Sequence, residues 1–122
     1  MFNSTVKSCS KELTAKERIA IKDTQSAIKL DEAVNGEGVD ISVDYYAVVG
    51  IHNDKATPVD YDNYVLVDYD GNKYVTGSQS FWNAFESIAN EMAGEEEAWG
   101  VHVYKRPSKN YSGKEFLTCH II

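Results

Sequence analysis

Between Asp40 and Ile51 the chain is almost unbroken in β-forming residues, and Ile41, Val43, Tyr45, Val49 and Ile51 fall at one parity. Side chains alternate across a strand, so this spacing predicts a long strand with one buried face. The residues that follow supply its neighbours. His52 to Asp62, with Pro58, reads as a loop. Tyr64–Tyr69 is a second strand, Asp70-Gly71-Asn72 a turn in which glycine takes positive φ without steric cost, and Lys73–Thr76 the returning strand. Ser78 or Ser80 then caps a helix. Its Phe81, Trp82, Phe85, Ile88, Ala89 and Met92 form an apolar stripe. Gly94 stops it, and Glu95–Glu97 form a solvated loop. Trp99–Tyr104 and Phe116–Ile122 are the last two strands, joined by a basic loop from Lys105 to Lys114.

Residues 37–122 therefore run strand, strand, strand, helix, strand, strand. This mainly β order is that of the five-stranded oligonucleotide/oligosaccharide-binding (OB) barrel, with one helix between strands three and four. An antiparallel sheet with one packed helix shares the same local pattern. Residues 1–36 read as an N-terminal extension. Residues 1–11, rich in Ser, Thr, Asn and Lys, form a loose arm. Glu12 to Val34 favours helix, in one or two short pieces, and Thr14-x-x-Glu17 fits a capping box. Asn35-Gly36-Glu37-Gly38 breaks the chain.

At 122 residues the chain suits one domain that needs neither disulfide nor metal to build a core. Two cysteines, Cys9 and Cys119, cannot make the framework of a small secreted fold. No apolar run approaches the roughly 20 residues that span a bilayer, and no secretory signal opens the sequence. The expected setting is a reducing cytoplasm, with no membrane partner.

The formal net charge is −7, unevenly spread. Residues 37–100 hold thirteen acidic and two basic groups, whereas residues 101–122 hold one and four. A whole-molecule basic field is absent, but a local basic site is present near the C-terminus. No nucleophile with a base, no phosphate-binding glycine loop and no Cys-x-x-Cys occurs, so neither catalysis nor a cofactor is expected. His102 and His120 approach each other if the last two strands pair, but no metal site is expected, since Cys119 and His120 point to opposite faces. Asp60, Asp62, Asp68 and Asp70 lack calcium-loop spacing and read as turn and edge carboxylates.

Four of the twelve basic residues lie between Lys105 and Lys114, interleaved with aromatic rings. Cations track phosphates and flat rings stack on bases, which is what single-stranded nucleic acid requires. The candidate nucleic-acid contacts are Tyr104, Lys105, Arg106, Lys109, Tyr111, Lys114 and Phe116. Parity places Val101 and Val103 in the core and turns His102, Tyr104 and Arg106 the other way. On the last strand, Leu117, Cys119 and Ile121 share one face, and Phe116, Thr118 and His120 the other.

Leu13-Thr-Ala-Lys-Glu, the segment from Tyr74 to Phe85 and above all Val103 to Cys119 resemble small single-stranded DNA-binding proteins of bacteriophages that infect Gram-positive hosts. The resemblance covers about two thirds of the chain. It implies an OB-type barrel and cooperative, sequence-tolerant coating of single strands in replication or recombination, without catalysis. It adds weight to Lys105, Arg106, Lys109, Tyr111 and Lys114 as contacts. Expected partners are single-stranded DNA, phage or host replication and recombination proteins, and further copies of the chain, all in the host cytoplasm. The acidic C-terminal tail by which many such proteins recruit partners has no counterpart in Cys-His-Ile-Ile. The competing reading is a small acidic phage protein that inhibits a host nuclease or defence complex by mimicking DNA charge. A pure mimic has little reason to carry the Lys105–Lys114 loop.

Overall fold

A computed structural model describes residues 2–107 and 115–122. The elements are β1 (Phe2–Cys9), α1 (Ala15–Lys22), β2 (Ile28–Lys29), α2 (Leu30–Ala33), β3 (Val39–Asn53), β4 (Asp60–Asp68), β5 (Lys73–Thr76), α3 (Gln79–Met92), β6 (Trp99–Pro107) and β7 (Glu115–Ile121). The protein is mainly β, and its sheet curls into a half-barrel. The strands lie in the order β2-β5-β4-β3-β6-β7, with β1 added beside β3. All pairs are antiparallel except β2 with β5.

The long strand organises this arrangement. One edge of β3 pairs with β4 from Val43 to His52. The other pairs with β6 over Val39–Val43 and then with β1 over Ala47–Asn53. The single parity expected along this strand does not hold. Asp44 is an extra residue in the β3–β4 ladder: Val43 faces Asp68 and Tyr45 faces Val67. This bulge turns the strand over. Ile41 and Val43 enter one core, while Tyr45, Ala47, Val49 and Ile51 enter a second on the opposite side.

The first core is filled by α3, whose apolar stripe buries Phe81, Trp82, Phe85 and Ala89. Ser78 is the N-cap, its hydroxyl accepting from the Phe81 N–H at 3.2 Å. Trp82 stacks on Tyr64 with ring centroids 4.7 Å apart. Leu30 and Val34 join from α2 and the residue that follows it. α3 lies along β7, and Ser80 Oγ donates to the Leu117 carbonyl at 2.9 Å. At the β4–β5 turn Gly71 has a φ of +87°, the left-handed region that its neighbours would resist.

The second core lies on the outer side of β3, β4 and β5, where Val49, Val65, Val67 and Val75 would otherwise face water. Ile21 of α1 covers them, with Val6, Cys9 and Leu13 packed around it. Residues 2–9 are therefore no loose arm. Their composition is polar because β1 is an edge strand that turns most side chains to solvent, yet its backbone completes the ladder of β3. The helix expected between Glu12 and Val34 is present as two short pieces, α1 and α2, separated by β2. Thr14 and Glu17 form the reciprocal cap, with Glu17 N–H to Thr14 Oγ1 at 3.2 Å and Thr14 N–H to Glu17 Oε1 at 3.0 Å. No helix among the described residues is long and apolar enough to cross a membrane.

A candidate nucleic-acid interface on the outer face of the last two strands

The outer side of the sheet is divided. Over β3, β4 and β5 it lies under α1; over the first half of β3, β6 and β7 it carries polar and aromatic side chains. Alternation sets this up. Val101, Val103, Leu117 and Cys119 turn into the first core, so His102, Tyr104, Thr118 and His120 turn out.

Register sets two of these outward residues, His102 and His120, in one row with Asp40 of β3. Asp40 faces His102 across β3–β6, and His102 faces His120 across β6–β7. His102 Nδ1 lies 2.6 Å from Asp40 Oδ1. The two imidazole centroids are 5.2 Å apart, and the Tyr104 ring lies 5.6 Å from His102 and 5.1 Å from His120. Gly38 makes room for this packing. Its φ is +87°, and a Cβ there would stand 2.5 Å from the Val103 carbonyl and 2.9 Å from His102 Nε2.

The expected contacts distribute unevenly around this cluster. Tyr104 is one of its three rings. Arg106 is exposed on the same face and stands opposite Phe116, itself 37% exposed. β6 continues to Pro107, so Lys105 and Arg106 belong to the strand rather than to a loop. Lys105 has the parity of Val101 and Val103 and points to the inner side. Its ammonium donates to the Asp31 carbonyl at 2.9 Å. Lys109, Tyr111 and Lys114 lie outside the described residues.

The sequence reading did not reach Asp40 as a neighbour of His102. Nothing local announces it, because the contact depends on the register between strands about sixty residues apart. His102 and His120 were legible as an outward pair once β6 and β7 were paired. Tyr64, by contrast, is buried rather than displayed, with its hydroxyl donating to Gln79 Oε1 at 2.8 Å.

Other chemistry is sparse. Among the described residues no group of three His, Cys, Asp or Glu side chains is placed to hold a metal ion. Both cysteines are free, and burial pushes the Cys119 thiol up to about 12, which keeps it protonated and unreactive. A polar cleft between α2 and the ends of β3, β4 and β5 is lined by Lys29, Asp31, Glu32, Asn53 and Thr76. It mixes charges of both signs and offers no groove of one sign to a polyanion.

A scan against protein-family models finds no match, and searches of curated proteins and of solved structures find none either.

Proposed function

We propose that this is a non-enzymatic single-stranded DNA-binding protein that uses the outer face of β6 and β7. The observation that carries the reading is the ring cluster of His102, Tyr104 and His120, open on the sheet surface and continuous with Arg106 and Phe116. Flat rings accept unstacked bases of any sequence, and an arginine at the end of such a platform takes a phosphate. The strand-to-strand segment at that end holds Lys109, Tyr111 and Lys114, which extend the same chemistry by composition. On this reading β3 to β7 are the five strands of an OB-type barrel, with α3 between the third and fourth. The pairing of β3 with both β4 and β6 supports it. β1 and β2 are additions, and β5 pairs with β2 rather than closing on β7. The coating role in phage replication or recombination follows from the resemblance of residues 103–119.

Titration of a labelled oligo(dT) by fluorescence anisotropy tests the reading. Micromolar or tighter binding at low salt is expected, weaker for duplex of equal length. Affinity should fall with salt at a log–log slope of about −0.7 per phosphate contacted. The net charge of −7 favours a second reading, charge mimicry directed at a DNA-binding host protein. Absence of binding to any oligonucleotide would select it.

A further inference from the structure

We infer that the hollow between Tyr69 and Ile122 is a pocket for one unstacked nucleobase, at the end of the DNA path away from Arg106. The inference rests on the binding face proposed above and adds a subsite to it. The hollow lies one row along from Asp40, His102 and His120, on the same side of the sheet. Its floor is Ser42 of β3, which faces Gly100 of β6. Ile122 follows β7 and donates its backbone N–H to the Gly100 carbonyl at 3.1 Å, so it forms one wall. Asp68 faces Val43 at the end of β4, and the next residue, Tyr69, stands beside Ser42 as the other wall. These residues, with Ala98 and Trp99, line a space of about 290 Å³.

The shape of this row has a cause. A Cβ on Gly100 would stand 2.7 Å from the Ile41 carbonyl oxygen, too close for any side chain. The close approach of β3 and β6 therefore requires glycine, which leaves the centre of the row bare. On either side of that gap stand two large apolar side chains, Tyr69 at 59% and Ile122 at 61% exposed. An exposed ring beside a gap is what an unstacked base needs. Charge selects the base rather than the phosphate. Among the described residues no lysine or arginine lines the hollow, and Asp40 in the next row and Asp70 beside Tyr69 are acidic and exposed. The Ser42 hydroxyl both donates and accepts, so it meets the edge of any base without choosing one. Spacing continues the platform. Gly100, His102, Tyr104 and Arg106 are outward positions two residues, or about 7 Å, apart. A stacked strand rises only about 3.4 Å per nucleotide. Bases held at successive outward positions are pulled out of their own stack, which frees a face for the Tyr69 ring.

Photo-crosslinking tests the pocket directly. Oligo(dT) carrying a single iododeoxyuridine is irradiated on the protein, and the modified peptide is mapped by mass spectrometry for each position of the label. One position should attach to Tyr69 and others to Tyr104 or Phe116. Tyr69→Leu keeps an apolar wall but removes the ring face, and it should weaken oligo(dT) binding about ten-fold. Ser42→Phe, at an exposed position, fills the hollow. It should weaken binding by a similar factor and abolish the attachment to Tyr69. Both variants should keep the parent's circular dichroism. Parent-like affinity in Tyr69→Leu, or labels that attach to Tyr104 and never to Tyr69, overturn the inference while the binding reading stands. Absence of oligo(dT) binding by the parent removes the binding reading and the inference together.

Discussion

At residue 104 a tyrosine ring lies between 5 and 6 Å from two imidazoles, and two residues along the same face an arginine reaches solvent. These neighbours make separable contributions. Tyr104→Leu keeps apolar contact but removes the π-face, so it should weaken oligo(dT) binding by about 1–3 kcal/mol and leave the salt slope unchanged. Arg106→Ala should weaken binding to every sequence alike and reduce the slope by about 0.7. Isothermal or anisotropy titrations at four salt concentrations distinguish the two. Lys105, grouped with Arg106 by its place in the sequence, points to the opposite side and holds the Asp31 carbonyl. Proximity along a strand is a poor guide to a shared role, because neighbours alternate. The third histidine has a different task. Both ring nitrogens of His52 face carboxylates, Asp60 at 2.7 Å and Asp54 at 2.8 Å, and these hydrogen bonds, Asp60 first, raise its pKa. A raised value stabilises the fold fully below the unfolded value of about 6.5, and this is lost as pH rises through the raised value. Amide exchange in residues 53–60, corrected for intrinsic rates, should show less protection at pH 9 than at pH 6, and H52Q should abolish the difference.

Elements with local signatures were legible. Ser78 and the apolar stripe announce α3, Asp70-Gly71-Asn72 announces the β4–β5 turn, and Thr14-x-x-Glu17 announces α1. β1 was not legible, because its reason to be a strand is the free edge of β3, more than thirty residues away. The bulge at Asp44 was equally hidden: an alternating run of apolar residues does not say which face each will bury once one residue is left out of the ladder. Two outcomes follow for the helices. Trp82, buried and stacked on Tyr64, should cost about 3–5 kcal/mol on replacement by Ala, by lost transfer energy and a residual cavity. Urea denaturation measures it, and a change under about 1 kcal/mol would mean that the site collapses around the gap. Thr14→Ala should cost about 0.5–2 kcal/mol through loss of the cap. Glu17 adds an acid-sensitive component. The hydrogen bond from Lys11, then that from the Thr14 N–H, lowers its pKa to about 2. A lowered value stabilises above the unfolded value and is lost as pH falls, here from about 4.5 towards 2. Thermal melts of Glu17→Gln and the parent should converge across that window.

For the molecule as a whole, the N-terminal third is structural: it covers the outer side of β3, β4 and β5. Removing residues 1–29 would bare Val49, Val65, Val67 and Val75 together and delete Ile21. The truncated chain should bind a hydrophobic dye and aggregate, whereas removal of a loose arm would leave a monodisperse protein; size-exclusion chromatography shows which occurs. The other side of the molecule presents a different hazard. An open sheet ends in a strand whose unused backbone groups invite a strand from another molecule, and β7 is such an end. Ser80 Oγ occupies the Leu117 carbonyl, and α3 lies along the strand. An incoming chain would have to evict a helix to extend the sheet. Sheet growth by strand addition is thereby blocked at the β7 edge. On the proposed reading, copies crowded along one DNA strand can then touch through this edge without their sheets fusing there into a fibre.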